Sequence, residues 1–387
     1  MASFLPYGRQ SIDRADIDAV IAALRDPFIT QGPRVKEFER GVADHVQARH
    51  AIAFANGTAA LHAAASAAGL RPGDEVLTTP ISFVASANCA LFVGARPVFA
   101  DIDPVTANLD LAAARASGAL ERVRACVVVS LAGLPADLAP VKDARERGMV
   151  VIEDAAHALG AERAGRPVGA GLADMTAFSL HPVKAITSGE GGLVATDSDE
   201  LAEALDRFRS HGIVRGEPAD DPMLGGWHYG VESLGLNYRI TDIQCALGLS
   251  QLQRLDRFIL ARNAIAESYH ELLSRLPGIS LPARARPGDR HAYHLFVVRF
   301  SEGPRRRRLV YDMLREAGIG AQVHYIPIPA HALYRDLGYD MDGLPQAQAY
   351  WEQALSLPMF PAMERRDVER VAQALQSALE APLGVSE

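Results

Sequence analysis

The chain has 387 residues, 49% of them apolar and 22% charged, with a net charge of −8 at neutral pH. That is enough apolar material for one large core and a smaller one, while the acidic balance argues against a general nucleic-acid or anionic-membrane binder. Three cysteines, Cys89, Cys126 and Cys245, form no CxxC pair, so neither a disulfide framework nor a cysteine zinc site is indicated and a reducing cytoplasm is the expected setting.

In chain order, the opening "MASFLPYGRQSIDRADIDAV" lacks the basic-then-apolar pattern of an export signal, and the longest apolar run, "ACVVVSLAGL", is too short to span a bilayer. Strand-like and helix-like segments then alternate. The strand "AIAFA" precedes a helix from about Thr58; "DEVLTTP" precedes a helix after Phe83; "RPVFADI" and "RACVVVSLAG" follow, then a helix, "MVVIEDAA" and "MTAF". Such alternation predicts an α/β fold with a mainly parallel sheet.

Beyond Gly189 the pattern runs through a strand "GGLVATD", a helix from about Ser198 and a polar, glycine-rich stretch over 212–230. A long amphipathic segment, "TDIQCALGLSQLQRLDRFILARNAIAESYHELL", then leads toward a second domain. "HAYHLFVVRF" and "AQVHYIP" read as strands, and "PRRRRLVYDMLREAGI" and the segment from about Glu364 as helices, which suits a smaller α+β domain. The expected division is 1–250 for the N-terminal segment and large domain, and 251–387 for the small one.

Ligands of parallel α/β sheets bind beyond the carboxyl ends of the strands, so polar residues at strand exits are the candidates. After "AIAFA" stand Asn56, Gly57 and Thr58 at a helix start, where free amides and the helix dipole suit a phosphate; an ordinary helix cap is the plainer alternative. After "TTP" comes Phe83, either a flat contact for a ring or a core aromatic. After "MVVI", Asp154 precedes His157 by three positions, and a cap and a packed polar histidine are the structural alternatives. After "MTAF" come Ser179, His181 and Lys184, before "GEGG". A surface lysine is the ordinary reading, but nearby glycines permit close approach and a desolvated lysine is a usable amine nucleophile.

Taken together, these parts meet the needs of pyridoxal 5'-phosphate: a lysine for a Schiff base, an acid on the pyridine nitrogen, a phosphate cup and a flat ring contact. The thirty positions between Asp154 and Lys184 leave room for one strand and its connections.

"HPVKAITSGEGG", "EDAAHALG", "TTPISFVASAN", "LGLNYRITDIQCALGLSQL" and "QVHYIPI" resemble the DegT/StrS family of sugar aminotransferases over nearly the whole chain. The resemblance implies the aspartate aminotransferase type I fold and a homodimer with shared active sites. It implies Lys184 as the Schiff-base lysine, Asp154 on the pyridine nitrogen, His157 near the phenolic oxygen and Phe83 on the ring. Gly57, Thr58 and Ser179 match the phosphate-binding positions, and Asn237 matches a residue reaching the phosphate from the partner subunit. Tyr7, the stretch Pro27, Phe28, Ile29 and Thr30, and the stretch Gln322, Val323, His324 and Tyr325 match places that hold the nucleotide sugar.

Within the family, "PYGRQSIDRADIDAVIAALRDPFITQGP", "FSLHPVK" and "RSHGI" resemble the pseudaminic-acid branch, implying L-glutamate as donor and a UDP-4-ketosugar as acceptor. Another UDP- or dTDP-4-keto-6-deoxyhexose is the alternative acceptor. Leu180, where the family usually has phenylalanine, and the apolar "SLAGLPADL" are the departures. A cysteine desulfurase would need a cysteine after Cys245, and none follows. A non-enzymatic cofactor-binding regulator would tolerate loss of the lysine, which is present. Gly169 and Gly171 lack the third glycine of a dinucleotide loop. His291 and His294 would face opposite ways on a strand, which disfavours metal. The four arginines at 305–308 are expected on a solvated helix face.

Overall fold

The computed structural model describes residues 4–214, 225 and 227–383. Most of the glycine-rich stretch at 212–230 therefore lies outside the described residues. The large sheet has seven strands in the order His50–Phe54, Gly192–Thr196, Met175–Ser179, Val150–Asp154, Ala125–Val129, Glu75–Thr78 and Arg96–Phe99. Only Gly192–Thr196 runs antiparallel to its neighbours. A run such as "ACVVV" is apolar throughout because helices cover both faces of the sheet, and all five of its residues are buried.

On one face, Phe38 and Val42 of the helix Pro33–Val46 pack with Phe178, Leu193 and Ile259. On the other, the alanine-rich helix Gly57–Ala67 lies close to the sheet among Phe54, Val127 and Val194. Truncating a fully buried aromatic such as Phe178 in this core would cost about 3–5 kcal/mol.

The long amphipathic segment is two helices, Asp242–Leu252 and Leu255–Leu273, with a break at Gln253 and Arg254. The second helix joins both cores: Leu255 and Ile259 belong with Phe178, whereas Ile265, Tyr269 and Leu273 pack with Phe296, Val298 and Phe300. A three-stranded antiparallel sheet, Ile279–Ser280, Phe296–Phe300 and Ala354–Leu357, carries the second core between the helices Pro304–Glu316 and Arg365–Glu380. Leu5 joins that core through a parallel bridge to Ile319, which brings the N-terminal segment across the molecule.

Three local expectations change. "HAYHLFVVRF" is a strand only from Phe296, because Tyr293 takes φ 44° and turns the chain before it. "AQVHYIP" is no strand; Gln322 alone bridges to Ser356, and the chain then turns inward. The arginine run is not uniformly solvated either, since Arg306 is buried and donates to the carbonyls of Ala378 and Ala381, tying its helix to the C-terminal one.

Candidate active site

The parallel strands place their carboxyl ends side by side, with Asp154 in register with Ala177. This pairing explains the thirty-residue interval: the strand Met175–Ser179 returns beside Val150–Asp154, and the loop after it carries Lys184 back over the strand end. These exits enclose a cavity of about 610 Å³ lined by Gly57, Thr58, Phe83, Asp154, His157, Ser179 and Lys184. Tyr7, His294, His324 and Tyr325 close it from the side of the second core.

Asp154 is buried, and its carboxylate accepts from the Ser86 hydroxyl at 2.6 Å and the Ala156 amide at 3.1 Å. It caps no helix. Burial pushes its pKa up, while Ser86, Ala156 and the charge of Lys184 oppose that shift. The Lys184 amine is lowered to about 8 by burial, against the pull of Asp154. His157 is held well below the ordinary histidine value by burial and by Lys184 and His324, and so is neutral.

At the other wall, the Asn56 side chain accepts from the Ala59 amide at 2.9 Å. Asn56 is thus a helix cap. The cap reading therefore holds, and Gly57 and Thr58 begin the same helix at the cavity wall, where first-turn amides lack intrahelical partners. A Cβ on Gly57 would stand 3.0 Å from Ser179 Cβ, so glycine keeps this cradle open. The last glycine of "GEGG" answers a similar demand: a Cβ on Gly192 would lie 2.3 Å from the Asn56 carbonyl oxygen.

The pocket fits pyridoxal phosphate. It offers a desolvated amine, a buried carboxylate with two of its acceptor positions filled by fixed donors, and a helix start left open by glycine, with Phe83 exposed at its edge. Among the described residues there is no cluster of metal-ligating side chains and no helix long and apolar enough to cross a membrane. His291 stacks on Tyr293 at 3.8 Å and His294 on His157 at 4.3 Å, so the two histidines do face different surroundings, from a loop and not from a strand.

Several expected residues lie elsewhere in the same chain. Pro27, Phe28, Ile29 and Thr30 are exposed and run beside Thr241, to which Thr30 bridges. Asn237 is exposed and bridges to Ser210, and neither Gln322 nor Val323 lines the cavity. Ser86, Tyr238 and His294 are the lining or supporting residues that sequence reasoning passed over. Ser86 was detectable in principle: Ser82 and Ser86 stand one helical turn apart after a strand exit, and their hydroxyls meet at 2.8 Å. His294 was weighed only as a metal ligand, and its place in the cavity wall gave no signal, because it depends on a stacking partner 137 positions earlier.

The DegT/DnrJ/EryC1/StrS aminotransferase family model matches residues 10–376. The spore coat polysaccharide biosynthesis protein SpsC of Bacillus subtilis is 38% identical over 378 residues, 96% of each chain. The UDP-4-amino-4,6-dideoxy-N-acetyl-beta-L-altrosamine transaminase of Campylobacter jejuni is 36% identical over 380 residues, 97% of this chain and 98% of that one. Among solved structures, Helicobacter pylori PseC, an aminotransferase involved in the biosynthesis of pseudoaminic acid, superposes with a TM-score of 0.90 at 32% identity, covering 98% of this chain and all of that one. The sugar aminotransferase Spr1654 of Streptococcus pneumoniae in its PLP-form also gives 0.90, at 28% identity, covering 97% and 99%.

Proposed function

The chain belongs to the DegT/DnrJ/EryC1/StrS aminotransferase family and is a pyridoxal-phosphate-dependent sugar aminotransferase of fold type I; from that premise we propose its substrates and the duties of its residues. The amino group passes from L-glutamate to C4 of UDP-2-acetamido-2,6-dideoxy-β-L-arabino-4-hexulose, giving UDP-4-amino-4,6-dideoxy-N-acetyl-β-L-altrosamine for pseudaminic acid biosynthesis. The pairing of Lys184 with Asp154 across one cavity carries the chemistry. Likeness to the C. jejuni transaminase and to PseC supports the sugar. The higher identity to SpsC keeps another UDP- or dTDP-4-keto-6-deoxyhexose as the second reading. Buried free thiols at Cys89, Cys126 and Cys245 accord with a cytoplasmic setting.

Bound pyridoxal phosphate supplies an electron-withdrawing ring that stabilises negative charge at the carbon being deprotonated. Asp154 holds the proton at the pyridine nitrogen, and Ser86 and the Ala156 amide hold Asp154 in line. Gly57, Thr58 and Ser179 receive the phosphate, joined by Asn237 of a second subunit in a homodimer, and Phe83 covers the ring. Lys184 Nζ would anchor the cofactor, and the same amine would take the proton from the α-carbon of glutamate and, with the ketosugar, return a proton to C4. An amine lowered to about 8 is partly neutral near neutral pH, as a group that both accepts and donates protons must be.

The deciding experiment is a panel of UDP- and dTDP-4-ketosugars assayed with glutamate, the products resolved by mass spectrometry and NMR. The L-arabino ketone is expected to give the highest specificity constant. A higher value for the C5-epimeric UDP-4-keto-D-xylo sugar or a dTDP-4-ketosugar would overturn the sugar and leave the aminotransferase standing. Lys184→Ala is expected to retain cofactor through its phosphate contacts and lose turnover.

A further inference from the structure

The turn Leu131–Gly133 sits between the two histidines of the cavity wall. Ala132 takes φ 57° and ψ 2°, a left-handed conformation uncommon for alanine. The turn is pinned on every side. The Leu131 amide donates to Asn108 Oδ1 at 2.9 Å, the Gly133 carbonyl accepts from the Ala292 amide at 2.9 Å, and the Ala132 carbonyl accepts from the His294 amide at 2.8 Å. Ser130, just before it, donates its hydroxyl to the buried Glu153 at 2.6 Å and accepts from the Ala136 amide at 3.0 Å. A Cβ on Gly133 would meet the His157 carbonyl at 2.8 Å, so the turn lies directly against His157.

Two amides of this turn donate to side chains, Leu131 to Asn108 and Ala132 to His157. The Ala132 N–H points at His157 Nδ1, 3.3 Å away, and a backbone amide can only donate. Nδ1 is therefore the acceptor nitrogen, and a neutral imidazole must carry its single proton on Nε2. Nε2 faces the Tyr325 hydroxyl at 3.2 Å, with the two rings within 10° of parallel, and the His294 ring covers one face of His157. With Nε2–H donating, the Tyr325 oxygen accepts, and its own proton is left to be donated into the cavity that both residues line.

We infer that the left-handed Leu131–Gly133 turn fixes the tautomer of His157, so that Ala132 N–H, His157 and Tyr325 form a one-directional chain of donors ending in a tyrosine O–H offered to an acceptor oxygen of the bound ligand. Ala132 and His294 are positioning residues; Tyr325 is the contact. The ligand oxygen is a phenolic, ketone or carboxylate oxygen, and never a hydroxyl that needs an acceptor. This inference rests on the aminotransferase reading for the ligand's identity, but the direction of the chain does not.

The test begins with the full-length protein labelled with 15N-histidine and observed by long-range 1H–15N correlation, with and without pyridoxal phosphate. The His157 signals are identified by their loss in His157→Gln. A pyridine-type Nδ1 and a pyrrole-type Nε2 are expected in the cofactor-free protein, before any turnover. The reverse assignment would overturn the inference whatever the enzyme transaminates. In Tyr325→Phe the tautomer is expected to persist, because Ala132 sets it. That variant should also show either a shifted cofactor absorption band, if the acceptor is the phenolic oxygen, or a raised KM with kcat nearly unchanged, if it is an oxygen of glutamate or the ketosugar. No change in band or KM would remove Tyr325 as a donor, and a switched tautomer would remove the turn as the lock.

Discussion

At the scale of single residues the site depends on one amine and one carboxylate that pull against each other. Burial favours neutral Lys184, and the charge of Asp154 favours the ammonium; burial is the larger effect, which leaves the amine at about 8 instead of 10.5. Only the neutral amine is a nucleophile, so reactivity grows as pH rises through the folded-state value. In cofactor-free protein, reductive methylation at Lys184, followed by peptide mass spectrometry, is expected to rise with a midpoint near 8. Because Asp154 raises that value, Asp154→Asn should move the midpoint lower; a midpoint that Asp154→Asn leaves in place, or one in the ordinary range of a free lysine, would show the amine to be solvated. Asp154→Asn should also slow α-proton removal by about 10–100-fold, the worth of one charge-assisted hydrogen bond, with little change in glutamate binding. If only the KM for glutamate changed, Asp154 would be a structural residue.

Among the elements, the meeting of the strand Gly192–Thr196 with the helix Gly57–Ala67 builds the end of the cavity lined by Gly57 and Thr58, the end proposed for the phosphate. Gly192 opposes Phe54 in the sheet, and its missing side chain is what lets the Asn56 carbonyl pass. Gly189, three residues earlier, has φ 82° but open space around it. Gly189→Ala should therefore cost about 1–2 kcal/mol of stability from backbone strain alone and leave cofactor affinity close to wild type. Gly192→Ala forces backbone apart at the helix start and should lower both the melting temperature and the affinity, read by thermal denaturation and cofactor titration. Equal effects from the two would mean that close approach is not what requires glycine here. The strand exits were legible because a buried strand ending in a polar residue leaves a local pattern: Asp154, Phe83 and Thr58 stood where the apolar runs stop. "QVHYIP" misled because its alternation comes from His324 and Tyr325 turning into the cavity, not from a sheet face. The Leu131–Gly133 turn and the His294 stack were illegible, since both are made by contacts between distant segments.

For the molecule as a whole, the residues expected at the site but absent from its own cavity are informative. Thr30 pairs with Thr241, a short way along the chain from Asn237, and Phe28 and Ile29 are exposed at 62% and 49% on the Thr30 segment. Ile17 and Ile21 of the helix Arg14–Ala23 are exposed as well, and that helix packs beside Asp242–Leu252. Apolar side chains left in water beside residues proposed for a ligand accord with the proposed two-fold interface with shared sites. If Asn237 serves the partner's phosphate, Lys184→Ala and Asn237→Asp damage opposite subunits of each site. A heterodimer of the two then holds one site with both residues intact and one with neither. Mixing the inactive variants under proven subunit exchange is expected to restore about a quarter of wild-type activity, since about half of the dimers are mixed and each has one sound site. Activity that stays at the sum of the separate variants would place Asn237 in its own subunit's structure and leave each cavity to a single chain.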